Sequence, residues 1–356
     1  QLRQRRPALG RALRQPRPVE VGLPHRGRHE HQRARGVAKH RRDQRLQIVF
    51  GVDDVAEGRV VDGGDDGLAL PDGFAADGAR MLERDRVALL RHDAAALHEA
   101  VAEAQVTELH RAPQQQILNH AAKFEEMYRL DRPLGLIVRT PMGGRRGYGP
   151  THSQTLDRHF LGIPGLRVVA LQTLVDPGQV YGALLAEPKG PVLAIENKQL
   201  YGAALLSDVP LGFDLLHSRA ALPIAWLRAE RDRVDVTLIG YGGMTPALVE
   251  AASRLFDEHD ISADVIAPTE LYPFDAAALA EPLSRTGAVV IAEEGQTFAS
   301  FGAEVGLQIA TSWPHLAPRI ARVGPRPGVI PASVSLERVS LPSVDEIIAG
   351  ARKALA

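Results

Sequence analysis

The histidine of the segment GYGPTHSQ is the side chain best placed for acid–base chemistry. His152 follows Gly147, Gly149 and Pro150, which form a loop with unusual backbone angles directly after a predicted strand. An imidazole in such a loop can donate a proton to a reacting oxygen, or accept one from it, near neutral pH. From the residues alone two interpretations stay open, a catalytic histidine and a solvated or structural one.

Two glycine-rich segments carry weaker signals. The run GGRRG, Gly143–Gly147, lacks the Lys-Ser/Thr ending of a phosphate-binding loop, so Arg145 and Arg146 are predicted to be solvated loop charges. The run GYGGMTP, Gly240–Pro246, joins a predicted strand to a helix N-terminus, a geometry that can hold an anion. We expect a tight turn and a helix cap there.

Composition excludes several classes of site. The chain contains no cysteine, which excludes disulfides, thiolate metal ligands and a cysteine nucleophile. Residues 1–46 are rich in arginine, but no aromatic residue precedes Phe50, so nucleic-acid binding is not predicted. No apolar run reaches the roughly 20 residues of a membrane span. We therefore expect a cytoplasmic protein with neither a nucleic acid nor a membrane as partner.

Alternating strands and helices must position His152. Runs rich in Val, Leu and Ile, typical of parallel strands buried on both faces, alternate with amphipathic segments from residue 116 onward. The predicted strands are Leu134–Arg139, Arg167–Ala170, Val192–Ile195, Val234–Tyr241, Asp264–Ala267, Ala288–Glu293 and Arg319–Val323. The predicted helices are Gln116–Tyr128, Asp176–Leu185, Thr245–His259, Asp275–Ser284, Phe301–Ala310 and Val344–Ala356. Thr245 is the candidate cap of its helix, and Pro210–Pro223 is a connector without period. The pattern indicates two α/β domains with mainly parallel sheets.

Two sequence blocks within this region are specific. They are PMGGRRGYGPTHSQTLDRHFLGIPGLRVVA and PVLAIENKQLYG, and with the strand that ends in Glu293, Glu294 and Gly295 they resemble one family. That family comprises the beta subunits of the thiamine-diphosphate-dependent decarboxylase component of 2-oxo acid dehydrogenase complexes, the pyruvate and branched-chain enzymes, in the transketolase-like superfamily. The resemblance covers about residues 116–356.

The resemblance implies a domain order and an activity. Residues 114–205 would be a partial pyrimidine-binding domain, 206–222 a linker, and 223–356 the transketolase C-terminal domain. The implied function is oxidative decarboxylation of a 2-oxo acid with acyl transfer to lipoamide, in which His152 would be catalytic. The implied partners are an alpha subunit, in an alpha2beta2 heterotetramer, and a lipoyl acyltransferase core. Thiamine diphosphate would be shared with alpha, which would bind its Mg²⁺, and no metal is expected in this chain.

Residues 1–113 do not resemble the family. They would be an aberrant, wrong-frame translation or a genuine divergent and disordered region. Within this region only Met81–His110 has the composition of a regular element. Ala, Leu and Glu dominate it, which predicts a helix.

The sequence lacks the motif that carries a catalytic glutamate in the family that it resembles. Relatives carry a pyrimidine-activating glutamate in a PISE-like motif, which this sequence lacks. Four glutamates, Glu83, Glu99, Glu103 and Glu108, are instead expected on the solvated surface of the predicted Met81–His110 helix. The cofactor-binding residues are therefore unknown. The alternatives are a non-catalytic assembly chain or pseudoenzyme, and another transketolase-like enzyme.

Overall fold

The computed structural model describes residues 89–90, 99–103 and 112–356, and side chains from residue 114 onward. All of them belong to one compact unit, Gln47–Ala356. The strands are β1 (Leu89–Leu90), β2 (Glu99–Glu103), β3 (Gly135–Met142), β4 (Arg167–Ala170), β5 (Val192–Asn197), β6 (Phe213–His217), β7 (Ile224–Ala229), β8 (Val234–Gly240), β9 (Ala263–Pro268), β10 (Glu270–Tyr272), β11 (Thr286–Ala292) and β12 (Ile320–Val323).

The helices alternate with these strands as the sequence pattern predicts. They are α1 (Ala112–Gln115), α2 (Ala122–Tyr128), α3 (Gly149–His152), α4 (Pro177–Ala186), α5 (Thr245–His259), α6 (Ala280–Ser284), α7 (Phe301–Ser312), α8 (Val334–Ser340) and α9 (Val344–Leu355), and a π-helix, Gln116–Ala121, joins α1 to α2. Side-chain caps fix several starts: Asp176 accepts from the backbone N–H of Gly178 before α4, and Ser343 and Glu346 form a capping box before α9. No helix among residues 112–356 is long and apolar enough to cross a bilayer.

The first sheet has the strand order β1-β2-β3-β5-β4-β10 among the described residues. Strands β2, β3, β5 and β4 run parallel, while β1 and β10 are antiparallel to their neighbours. The carboxyl ends of β3 and β5 therefore lie at the same edge, where Met142 is paired with Asn197. That edge carries the segment with His152.

Strand β2 corrects the prediction for Met81–His110. The backbone of Leu89–Leu90 and Glu99–Glu103 is extended, and Glu99–Glu103 pairs with β3 from Gly135 to Arg139. The helix prediction was wrong at these residues, because ladder pairing on both sides overrides the helix propensity of Ala and Glu. Within residues 1–113 the structure thus describes two short strands, Leu89–Leu90 and Glu99–Glu103. Glu83, Glu108 and the rest of that segment lie outside the described residues.

The second sheet has the order β12-β11-β8-β9-β7-β6 among the described residues. Strands β12, β11, β8 and β9 are parallel. Strand β7 pairs with β9 in antiparallel orientation, and β6 pairs with β7 in antiparallel orientation. The predicted linker, residues 206–222, thus contributes a strand, Phe213–His217, to this sheet. Strand β10 in turn pairs with β4 of the first sheet, so the predicted domain boundaries do not separate the two sheets.

A continuous apolar core joins the two sheets. It combines Met142, Phe160 and Leu193 of the first sheet region with Ile239 and other buried side chains of the second. The Tyr241 and Phe301 rings meet edge to face with centroids 5.3 Å apart. The two carboxyl edges of the sheets are consequently held against each other, and the fold is the expected α/β pair of mainly parallel sheets.

Candidate functional site

The segment between β3 and His152 is built from residues with left-handed backbone. Gly143, Gly147 and Gly149 have φ of +95°, +72° and +76°, and Arg145 has φ of +68°. At Gly143 a Cβ atom would also clash with the side-chain amide of Asn197. Glycine is therefore required for the turn that leaves the first sheet, as the sequence predicts.

Two buried carboxylates of the second sheet region hold this segment. Glu294, which follows β11, accepts hydrogen bonds from the backbone N–H of Gly144 at 2.6 Å and from the Asn197 amide at 2.8 Å. Glu337, on α8, accepts from the backbone N–H of Gly147 at 2.6 Å. Such charge-assisted bonds are stronger than neutral ones, so the segment from 143 to 147 is tied to the second sheet region.

Arg145 and Arg146 make hydrogen bonds to the backbone that the sequence did not predict. Arg145 donates to the backbone carbonyl of Pro342, and Arg146 donates to that of Lys198 at 2.7 Å. The prediction of freely solvated charges was therefore wrong, although the Arg146 residue is largely exposed. Each guanidinium therefore gives one of its N–H groups to a backbone acceptor.

His152 is the last residue of the short helix α3 and is exposed. The predicted loop is thus a single helical turn, closed by a 3.1 Å bond from Ser153 N–H to the Gly149 carbonyl. The Lys198 amine donates to the His152 carbonyl. The structure places the imidazole beyond the carboxyl ends of β3 and β5, an edge where parallel α/β sheets bind ligands. Its catalytic role stays a prediction.

The run ENKQLYG, which ends β5, makes structural contacts. Glu196 is buried and accepts from Arg139 at 2.8 and 2.9 Å, and from the hydroxyl of Tyr201 at 2.8 Å. The Tyr181 hydroxyl donates to the same carboxylate. Burial, followed by the Glu196 charge, raises the pKa of Tyr181 well above its ordinary value. These bonds give the run a structural role.

A second buried polar pair was not predicted from the sequence. The Tyr241 hydroxyl donates to the carboxyl of Asp157, which is 1% exposed. Burial raises the pKa of Asp157, against the opposing effect of the bond from Tyr241. Nearby, Glu293 accepts from Ser300, Gly302 and Arg322, and burial raises the pKa of this carboxyl too. Asp157 lies in the first specific block and Tyr241 in the run GYGGMTP, but nothing in the sequence indicated that the two side chains meet.

The run GYGGMTP forms the predicted tight turn. A 3-10 turn, Gly242–Met244, leads directly into α5, and a Cβ at Gly243 would clash with Asn197. The prediction of Thr245 as cap was wrong: Met244 occupies that position, and the Thr245 hydroxyl donates to the Gly242 carbonyl at 2.9 Å. The turn therefore lies against the Asn197 side chain, at the end of β5 in the first sheet.

The described residues do not by themselves fit thiamine diphosphate. A carboxylate free to hydrogen-bond the aminopyrimidine ring is needed, but Glu294 and Glu337 beside the His152 segment are buried and bound to backbone N–H groups. Within residues 114–356 no group of three or more His, Asp and Glu could hold a metal ion. No reaction step is therefore assigned to a cofactor-binding residue of this chain.

Known proteins share this architecture. Residues 227–347 match the family described as the transketolase C-terminal domain. The chain is 32% identical over 242 residues to the acetoin:2,6-dichlorophenolindophenol oxidoreductase subunit beta of Cupriavidus necator, a match that covers 67% of this chain and 68% of that protein. It is 31% identical over 239 residues to the pyruvate dehydrogenase E1 component subunit beta-2 of Oryza sativa subsp. japonica.

The chain matches only part of the rice protein, and it shares its fold with a solved structure. The match to the rice protein covers 67% of this chain but 62% of that protein, so the chain spans less than two thirds of its length. A solved structure titled "Split gene transketolase, inactive beta4 tetramer" superposes with a TM-score of 0.51 at 24% identity, over 72% of this chain and 76% of the other, which shows a shared fold. The chain belongs to the transketolase-like family of beta subunits of the decarboxylase (E1) component of 2-oxo acid dehydrogenases.

Proposed function

We propose that this chain is a beta subunit of a 2-oxo acid dehydrogenase decarboxylase component, and that catalysis requires in addition the pyrimidine-activating glutamate that its sequence lacks. The reaction is oxidative decarboxylation of a 2-oxo acid with acyl transfer to lipoamide, in an alpha2beta2 assembly docked on a lipoyl acyltransferase core. Thiamine diphosphate is shared with the alpha subunit, which supplies the magnesium–diphosphate half and, when bound, the cofactor supplies the carbanion chemistry. A cytoplasmic location is part of this proposal.

The exposed imidazole of His152 is the observation that carries the proposal. It stands at the carboxyl edge of the first sheet, on a segment whose backbone is tied down by Glu294 and Glu337. A group held in this way can pass a proton to or from a carbonyl oxygen during acyl transfer without reorganising first. Family similarity supports the reaction, since two relatives are named as pyruvate dehydrogenase and acetoin oxidoreductase beta subunits.

A second candidate is a non-catalytic assembly chain, or pseudoenzyme. It is favoured by one observation: Glu294 and Glu337, the two carboxylates that hold the His152 segment, are buried and each accepts from a backbone N–H. Such a chain would keep its subunit contacts and bind no thiamine diphosphate. Another transketolase-like enzyme is the weaker alternative, because it would need the magnesium–diphosphate half in the same chain.

Reconstitution with a cognate alpha subunit separates the two candidates. We expect neither the chain alone nor the chain with alpha to reduce a dye in the presence of a 2-oxo acid. Replacing the residues before Glu99 with a family-like N-terminal half, while keeping β2 and its pairing to β3, should create activity when alpha is present. Dye reduction by the unmodified chain with alpha would show that its own N-terminal segment supplies the activating carboxylate. Inactivity of the repaired chain, together with no thiamine diphosphate binding, would favour the assembly chain.

His152 is tested in the repaired enzyme. His152→Ala should lower lipoamide acylation by about 100-fold or more, the usual effect of a general acid–base group, and lower dye reduction less. His315→Ala removes another exposed imidazole and is the matched control. Unchanged overall turnover in His152→Ala would remove this residue from the site.

A further inference from the structure

Lys198 is a buried lysine whose side chain reaches the segment that carries His152. It follows Asn197 at the end of β5, and only 8% of the residue is exposed. Its amine donates to the His152 carbonyl and lies 5.5 Å from the centre of the Tyr148 ring. The lysine therefore connects two neighbouring strand ends of the first sheet.

The backbone of Lys198 is fixed independently of its side chain. Its N–H donates to the Met142 carbonyl at 2.9 Å, and its own carbonyl accepts from Arg146 at 2.7 Å. Removing the amine thus leaves the backbone of this residue in place. The hydrogen bond that the side chain makes is the one to the His152 carbonyl.

Charged and titratable groups surround the amine from four directions. Glu294 comes from the end of β11, Glu337 from α8, Arg146 from the glycine-rich segment, and the Tyr148 ring from the start of α3. Burial lowers the pKa of Lys198 to about 8, Arg146 acts in the same direction, and the two glutamates oppose it. The amine consequently changes charge within a pH range where the protein can be studied, while it touches the backbone of His152.

The His152 carbonyl needs an external partner. It belongs to the last residue of a helix, whose terminal carbonyls have no acceptor role inside the helix. A single turn is also too short to maintain its own conformation. The direction of the imidazole therefore depends on contacts such as the one from Lys198.

We propose that Lys198 is a positioning residue for His152, holding the backbone carbonyl of that residue and thereby fixing the direction of its imidazole. The consequence for acyl transfer rests on the proposed function, whereas the contact itself does not. Below about pH 8 the charged ammonium makes a charge-assisted bond, and above this pH the neutral amine makes a weaker one.

Selective labelling can observe this carbonyl directly. The sequence contains two His-Ser pairs, His152–Ser153 and His217–Ser218, so ¹³C-carbonyl histidine with ¹⁵N-serine gives two correlated NMR signals from the full chain. The His152 carbonyl signal should show a titration step near pH 8 in the wild type. Lys198→Met should shift this signal and lose the step. Lys198→Arg should restore the low-pH signal without a step, because guanidinium stays charged throughout.

His217 in β6 is the internal reference. A wild-type His152 carbonyl signal in Lys198→Met, with the step near pH 8 retained, would overturn the proposal. So would a shift of the His217 signal in that variant, since it would make Lys198 a general packing residue. Failure of the proposed function would appear separately, as unchanged lipoamide acylation in His152→Ala.

Discussion

Glu294 and Gly144 are joined by a 2.6 Å hydrogen bond although 150 positions of sequence separate them. The carboxylate comes from the end of β11 in the second sheet, and the N–H belongs to the turn after β3 in the first. The other oxygen of Glu294 accepts from Asn197, at the end of β5. One side chain thus ties two strand ends of the first sheet to the second, directly upstream of His152.

Glu294→Gln tests this connection. A glutamine has one acceptor oxygen, so either the Gly144 N–H or the Asn197 amide loses its partner, and a buried unsatisfied donor costs about 1–3 kcal/mol. We expect urea unfolding to show a loss in this range and deuterium uptake of residues 143–153 to increase. Glu250→Gln, on the exposed face of α5, is the control and should change neither. An unchanged urea midpoint in Glu294→Gln would contradict the role of this bond.

Gly165 and Gly162 form a matched pair for testing the packing of α2 on the loop before β4. Both have left-handed backbone, with φ of +81° and +76°, but a Cβ at Gly165 would clash with the Ala122 carbonyl while nothing lies within 4 Å of one at Gly162. We expect Gly162→Ala to cost about 1–2 kcal/mol through its backbone alone. Gly165→Ala should cost about 1–3 kcal/mol more, through the clash. Equal shifts in urea midpoint would mean that Ala122 does not approach Gly165.

Long apolar elements were predictable from the sequence. The bounds of β4 and α5 agree with their predictions residue for residue. The run Val-Val-Ala predicts a buried strand, and a 3.6-residue apolar period after Thr-Pro predicts a helix. Antiparallel β6 and β7 were missed, since they lie in or beside a segment without a clear period. Strand β2 was missed because its Ala and Glu favour a helix until β1 and β3 pair with it.

The candidate site was predictable only in part. His152 could be identified from its glycine-rich setting, but the groups that hold its segment come from distant sequence. Glu337 lies on the two-turn helix α8, whose Val334, Leu336 and Val339 are exposed. This helix has no buried apolar face from which the sequence could predict it. Its partner, the Gly147 N–H, is a backbone group and leaves no trace in sequence. The contact of Lys198 with the His152 carbonyl is hidden for the same reason.

Glu196 should contribute to stability through Arg139. Glu196→Ala would leave the half-buried guanidinium without its carboxylate, and breaking such a pair costs about 3 kcal/mol, the low end of the usual range because Arg139 reaches solvent. Tyr201→Phe, which removes one hydroxyl from the same carboxylate, should cost about 1 kcal/mol. Urea unfolding of the two variants measures both. The single variant Arg139→Met and the double variant Glu196→Ala/Arg139→Met complete a cycle, in which the double variant should lose less than the sum of its two single variants. A loss equal to that sum would show that the pair does not interact.

Asp157 should give the protein a pH-dependent instability that asparagine removes. Because burial raises its pKa in the folded state, the folded protein binds more protons than the unfolded chain between the ordinary value of 3.8 and the raised one. The contribution of this residue to the free energy of unfolding therefore falls as pH rises through that window, by about 1.4 kcal/mol for each unit of the shift. In Asp157→Asn the amide oxygen would still accept from Tyr241, and the side chain has no charge to bury.

The measurement for Asp157→Asn is urea unfolding between pH 4 and pH 8. The difference in free energy of unfolding, variant minus wild type, should increase with pH through the window and then become constant. Asp264, whose pKa burial also raises, is present in both proteins and cancels in the difference. The Asp157 charge is one of the causes that raise the Glu293 pKa, so its removal lowers that pKa and adds to the expected difference in the same direction. Asp257→Asn, at an exposed position of α5, is the matched substitution control. A flat difference for Asp157→Asn would mean that the Asp157 carboxyl is not desolvated, and the contact between Asp157 and Tyr241 would then have to be open to water.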